Sequence, residues 1–125
     1  MEKILAFQLE EQNLQKLKQI AAGMKVKLYA VDRKDFYQLI GDLLGGKRNP
    51  LYGSYEGTAV SESMIVLEGF SDKRLDVLLK ALKRDSVSID FKAVVTPTNI
   101  RWTVLQMYLE MEKERNAYLQ MTKNQ

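Results

Sequence analysis

The chain has 125 residues, 46% of them hydrophobic and 28% charged, the size and composition of one ordinary globular domain able to bury its own core. It contains no cysteine and no histidine, which excludes disulfides, thiolate nucleophiles, histidine-based triads, Cys/His zinc sites and the usual neutral-pH proton shuttle. A net charge of +3, spread along the chain without an arginine-rich tail, is a weak argument for nucleic acid.

The apolar run Ile4 to Leu9 predicts a first strand. The start of the chain offers too short an apolar run for a signal peptide, and no later stretch approaches the roughly 20 apolar residues of a membrane helix, so a cytoplasmic protein without a membrane partner is expected. Gln12 to Ala22 reads as a helix stopped by Gly23, Lys25 to Val31 as a strand, and Asp35 to Leu44 as a second helix. A Gly-rich connection, 45–62, follows. The second half reads Met64 to Phe70 as a strand, Asp72 to Arg84 as a helix, Ile89 to Val95 as a strand, and a long helix from about Pro97 to Met121.

A shift of 64 places Val31 on Val95, Asp35 on Asn99, Phe36 on Ile100, Ile40 on Val104 and Leu43 on Met107, so 3–44 and 63–121 read as two pseudo-repeats within a single domain, 1–125. Ile4 to Phe7 and Met64 to Leu67 are apolar on both faces and suit central strands, whereas Lys25 to Val31 and Ile89 to Val95 alternate as edge strands do. First and third strands inside predict an α+β fold: a ferredoxin-like sheet from two βαβ(α) repeats, with four strands and four helices. The alternative is a two-repeat α/β sandwich in which the added helices cover the second face of the sheet. An uncovered second face would need a partner subunit or a ligand.

Two segments could bind a ligand. In the Gly-rich connection, Lys47 and Arg48 lie near Tyr52 and Tyr55, a set that could grip a phosphate and stack a base, although a plain linker between repeats has the same composition. At Thr96-Pro97-Thr98-Asn99, hydroxyls and amides of Thr96, Thr98 and Asn99 could cradle a small anion, although these are also the residues a helix cap selects. Neither segment carries a metal-ligand or P-loop pattern, and no cofactor and no metal site are expected.

The string Ala93-Val94-Val95-Thr96-Pro97-Thr98-Asn99, then Trp102, Leu105, Glu110 and Glu114, preceded by Gly69-Phe70-Ser71 and a helix bearing Leu75, Leu78, Leu79 and Leu82, resembles an uncharacterised small bacterial family of unknown function, found mainly in Firmicutes. The resemblance covers Ser63 to about Tyr118 and implies no activity. Its most specific part is the Thr-Pro-Thr-Asn-x-x-Trp string.

In the last helix, Ile100, Val104, Met107, Met111, Glu114, Tyr118 and Met121 recur at steps of four and three, and a helix from Pro97 to Met121 would be roughly 37 Å long. Its end is expected to overhang the domain, with Met107, Met111, Tyr118 and Met121 as a homodimer or protein-partner seam. The function expected is a non-enzymatic protein-interaction or small-ligand-sensing module. RNA or single-stranded nucleic-acid binding is the alternative, and an enzyme of unknown class the third reading.

Overall fold

The computed structural model describes residues 1–58 and 60–123; Ala59, within the Gly-rich connection, and residues 124–125 of the predicted domain lie outside the described residues. Four strands, β1 (Lys3–Phe7), β2 (Lys27–Val31), β3 (Met64–Glu68) and β4 (Phe91–Val94), form one sheet in the order β2-β1-β3-β4. The helices are α1 (Glu11–Met24), α2 (Ile40–Leu44), α3 (Asp72–Arg84) and α4 (Val104–Lys123). The fold is therefore mixed α+β, with four strands and four helices. None of the described helices is long and apolar enough to cross a membrane.

The strands that are apolar on both faces lie at the centre of the sheet. β1 pairs with β3 antiparallel, Leu5 opposite Val66, while β1–β2 and β3–β4 are parallel. In a ferredoxin-like sheet each βαβ unit is split by a strand of the other. Here the two strands of each unit are direct neighbours, so the interleaving expected from the sequence is not present.

Both faces of the sheet are covered. Ile4, Ala6, Ile65 and Leu67 pack with Leu17, Ile20 and Ala21 of α1 and Leu78, Ala81 and Leu82 of α3. On the other face Leu5, Phe7, Met64, Val66, Phe91 and Ala93 meet Phe36, Ile40, Leu44, Val104, Met107 and Tyr108. Among the described residues, helices thus lie against both faces of the sheet.

Helix boundaries differ from the expected ones for local reasons. Gly23 does not stop α1; Lys25 ends it instead, in the left-handed conformation (φ 60°), with its N–H donated to Ala22 O. The helix expected from Pro97 begins at Val104. Ahead of it lies a single 3₁₀ turn, Asn99–Arg101, broken by extended Trp102. Thr103 then starts α4 as a capping box: Gln106 N–H donates to Thr103 Oγ1 (3.1 Å) and Thr103 N–H to Gln106 Oε1 (2.8 Å). In the first half a 3₁₀ turn, Arg33–Asp35, likewise precedes α2, which is only five residues long.

Backbone details recur in the two halves. Left-handed residues Gln8 and Lys25 have counterparts 61 positions on, Gly69 and Ser86. The bond from Val26 N–H to Ala21 O (2.8 Å) is matched by Val87 N–H to Leu82 O (2.9 Å), and that from Lys27 N–H to Glu2 O by Phe91 N–H to Ser63 O. From Lys27 and Phe91, the first residues of β2 and β4, the spacing is 64. There Leu39 and Thr103 form an antiparallel bridge, flanked by Ile40 N–H to Trp102 O (2.9 Å) and Val104 N–H to Gln38 O (3.0 Å).

Candidate functional site

Among its described residues, the Gly-rich connection is fastened at several points. Arg48 pairs with Asp35 (2.7 Å), and the fully buried side chain of Gln38 both donates to Asn49 O (2.8 Å) and accepts from Asn49 N–H (2.7 Å). Tyr55 N–H donates to Lys34 O, and its ring stacks on Phe36 at 5.6 Å. The buried Tyr108 hydroxyl accepts from both Ser61 N–H (3.2 Å) and Glu62 N–H (3.0 Å). Among the predicted ligand residues of this segment, Lys47 and Arg48 line a groove of about 290 Å³ beside Tyr29 and Val31 of β2, Tyr52 is exposed, and Tyr55 is committed to the core.

The Thr96 turn is self-contained. Thr96 N–H donates to Asn99 Oδ1 (2.8 Å), Asn99 N–H to Thr96 Oγ1 (3.0 Å), and Asn99 Nδ2 to Val94 O (3.1 Å), while Thr98 begins the 3₁₀ turn without a side-chain bond. The side chains of Thr96 and Asn99 are thus engaged in shaping the turn between β4 and Trp102.

Helix α4 divides into two parts. Val104, Met107 and Tyr108 are buried and Met111 packs partly against them, so the predicted seam residue Met107 is core. Arg115 marks the limit of packing: its guanidinium stacks over Phe91 at 4.9 Å and pairs with Glu62 at 3.2 Å. Both partners stand at the end of the sheet where β3 and β4 begin. From Asn116 to Thr122 every residue is exposed, including Tyr118 (68%), Leu119 (55%) and Met121 (66%). The overhang expected from the sequence is thus present in the described residues.

At the same end of the sheet lies a polar pocket of about 250 Å³ that the sequence reading missed, lined by Gln8, Glu10, Asn13, Ser63, Ser88 and Asp90 among others. Asp90 Oδ2 accepts from both Ser63 N–H (2.8 Å) and Ser63 Oγ–H (3.0 Å), and Asp90 N–H donates to Ser63 Oγ (2.9 Å). Asn13 Nδ2 donates to Ser88 O (3.2 Å), and Gln8, in the left-handed region, donates to Glu62 O while accepting from Arg33 Nε. In the sequence Ser63 and Asp90 stand directly before β3 and β4.

The opposite end of the sheet is closed. Arg74, near the start of α3, donates from Nε and Nη2 to the two carboxylate oxygens of Glu2 (2.8 and 2.6 Å) and from Nη2 to Met24 O (2.6 Å). The hydrogen bond from Arg74 holds the Glu2 carboxyl below its ordinary range, and the same bond raises Arg74.

The second half of the chain, which contributes Ser63, Asp90, Tyr108 and Arg115 to these sites, is also where a family match falls. Residues 63–118 match the family described as Domain of unknown function (DUF3783). The match covers β3, α3, β4 and α4 up to Tyr118, the span over which the sequence resemblance was drawn, and its description assigns no activity. Neither the curated proteins nor the solved structures give a match to the chain.

Proposed function

We propose that this chain is a non-enzymatic protein-interaction module, built from a duplicated βαβ unit, that pairs with a second copy of itself through the projecting end of α4. The observation that carries the reading is the exposure of Tyr118, Leu119 and Met121 on a stretch of helix, Asn116 to Thr122, in which every residue is exposed. Past Arg115 the helix adds about 12 Å, and a stretch this short, without packing, has little stability of its own in water. A partner surface supplies what the domain does not. Tyr118 and Met121 continue the three-and-four stripe of Val104, Met107 and Met111, which suits a self-complementary two-fold seam. The proposed compartment is the cytoplasm, where a chain without cysteine loses nothing to reduction, and the proposed setting of the matched family is bacterial.

Nucleic-acid binding has less support. Of the basic residues of α3, Arg74, Lys80 and Arg84 are engaged with Glu2, Asp76 and Asp85, and helices cover both faces of the sheet.

Native mass spectrometry of the full chain tests the proposal, since one spectrum reports subunit count and any retained molecule. A dimer that becomes a folded monomer on combined Tyr118→Glu and Met121→Glu substitution is expected. A wild-type monomer at all accessible concentrations, or a dimer indifferent to both substitutions, refutes self-pairing through α4.

A further inference from the structure

The two ends of the sheet are built on one plan but finished differently. Lys27 N–H donates to Glu2 O at one end and Phe91 N–H to Ser63 O at the other, so Ser63 occupies the place of Glu2. Arg74 and Asn13 hold the same position in α3 and α1, each three residues past the helix cap. Each reaches a carbonyl in the segment that leads into the neighbouring edge strand, Met24 O for Arg74 and Ser88 O for Asn13. Both ends also present a carboxylate, Glu2 at one and Asp90, seated on Ser63, at the other. At the Glu2 end a guanidinium bridges carboxylate and carbonyl. At the Asp90 end the bridging position carries the much shorter Asn13 side chain, and the polar pocket lies there instead.

We propose that this pocket binds a guanidinium group, carried by a small molecule or by an arginine side chain, with the carboxylates of Asp90 and Glu10 as its acceptors. The Arg74 end of the same molecule shows the chemistry: a planar donor fork against a carboxylate and a backbone carbonyl. Both charged residues lining the pocket are acidic, and two neighbouring cations are engaged elsewhere, Arg33 donating to Gln8 Oε1 and Lys92 Nζ to Ile89 O (3.3 Å). At ~30 Å³ per water the pocket has room for roughly eight waters, enough for a guanidinium and its first methylenes. The proposal is independent of how α4 pairs.

The test is an amide NMR titration of the full chain with methylguanidinium chloride and, separately, with N-acetyl-arginine-methylamide, at ionic strength held constant with sodium chloride. Saturable shifts at Gln8, Asn13, Ser63 and Asp90 are expected, with a Kd near about 1 mM for so small a probe. Glu10→Gln should weaken binding by about tenfold, the loss of one charge-assisted contact. Asn13→Arg should fill the pocket from within, abolish the shifts and leave the melting temperature unchanged or higher. Binding of both probes alike assigns a small ligand; binding of the capped arginine alone assigns an arginine side chain. Absence of saturable shifts, equal shifts from tetramethylammonium, or undiminished binding by Asn13→Arg overturns the proposal.

Discussion

Replacing Tyr108 with Phe removes one oxygen from the interior and nothing else. The ring stays where it packs, edge-on to Phe91 at 5.4 Å and tilted against Phe36 at 6.2 Å, so no cavity forms. What is lost is the acceptor shared by the amides of Ser61 and Glu62, which tie the far end of the Gly-rich connection to α4. A net hydrogen bond contributes about 1 kcal/mol, and a buried donor left without an acceptor costs about 1–3 kcal/mol. Ser61 is exposed and its amide can turn to water, so the lower part of the range applies and a loss of about 1–2 kcal/mol is expected. With about 2.1 cal/mol/K of unfolding entropy per residue, this lowers the Tm of a 125-residue domain by about 4–8 °C. Thermal unfolding followed by circular dichroism reads the shift, and hydrogen exchange at Ser61 and Glu62 should quicken beyond the global change. A Tm within about 1 °C of wild type, with exchange at the two amides unchanged, would show that the connection is not held by this hydroxyl.

Three further outcomes are expected. Because Arg74 depresses the Glu2 carboxyl, its contribution to stability is present above the ordinary carboxylate range and disappears as pH falls through the folded value. Glu2→Gln should therefore lose stability at neutral pH and show a shallower acid decline, and parallel acid limbs in urea titrations would refute the clamp. Gly69→Ala sets a side chain at φ 83° with its Cβ 2.8 Å from Met1 O, and equilibrium unfolding should register a loss of at least about 1 kcal/mol. Phe36→Ala empties the centre of the α2–α4 layer, where Phe7, Tyr55 and Tyr108 converge, and should cost about 3–5 kcal/mol; a loss below about 1 would mean that the layer collapses to fill the space.

The strands were legible because burial writes itself locally. Ile4 to Phe7 and Met64 to Leu67 are apolar at every position, and only a strand covered on both faces selects that pattern. How the units join was not legible. Split and adjacent βαβ units both put β1 and β3 inside and β2 and β4 outside, so one hydrophobic pattern serves both, and the strand on which each crossover lands is set by tertiary packing. The start of α4 was misread for a different reason. Thr96-x-x-Asn99 and Thr103-x-x-Gln106 are both start signals, and the reciprocal bonds of each are made, but the first drives a single turn because Trp102 must extend for Thr103 to bridge Leu39.

The polar pocket was invisible for a reason that bears on its function. Asn13, Ser63 and Asp90 are each unremarkable where they stand: a polar residue in a first helical turn, a serine before a strand, an aspartate in an edge segment. Arg74 stands in the sequence among the other basic residues of α3, yet it closes one end of the sheet. Counted from their helix caps, Arg74 and Asn13 hold the same position, and the longer side chain goes with a closed end, the shorter with a pocket. Stability needs each end of the sheet to be satisfied, not satisfied in the same way. With Glu2 and Arg74 securing one end, the other is free to keep a carboxylate and a pocket, at the end of the sheet where Arg115 pairs with Glu62.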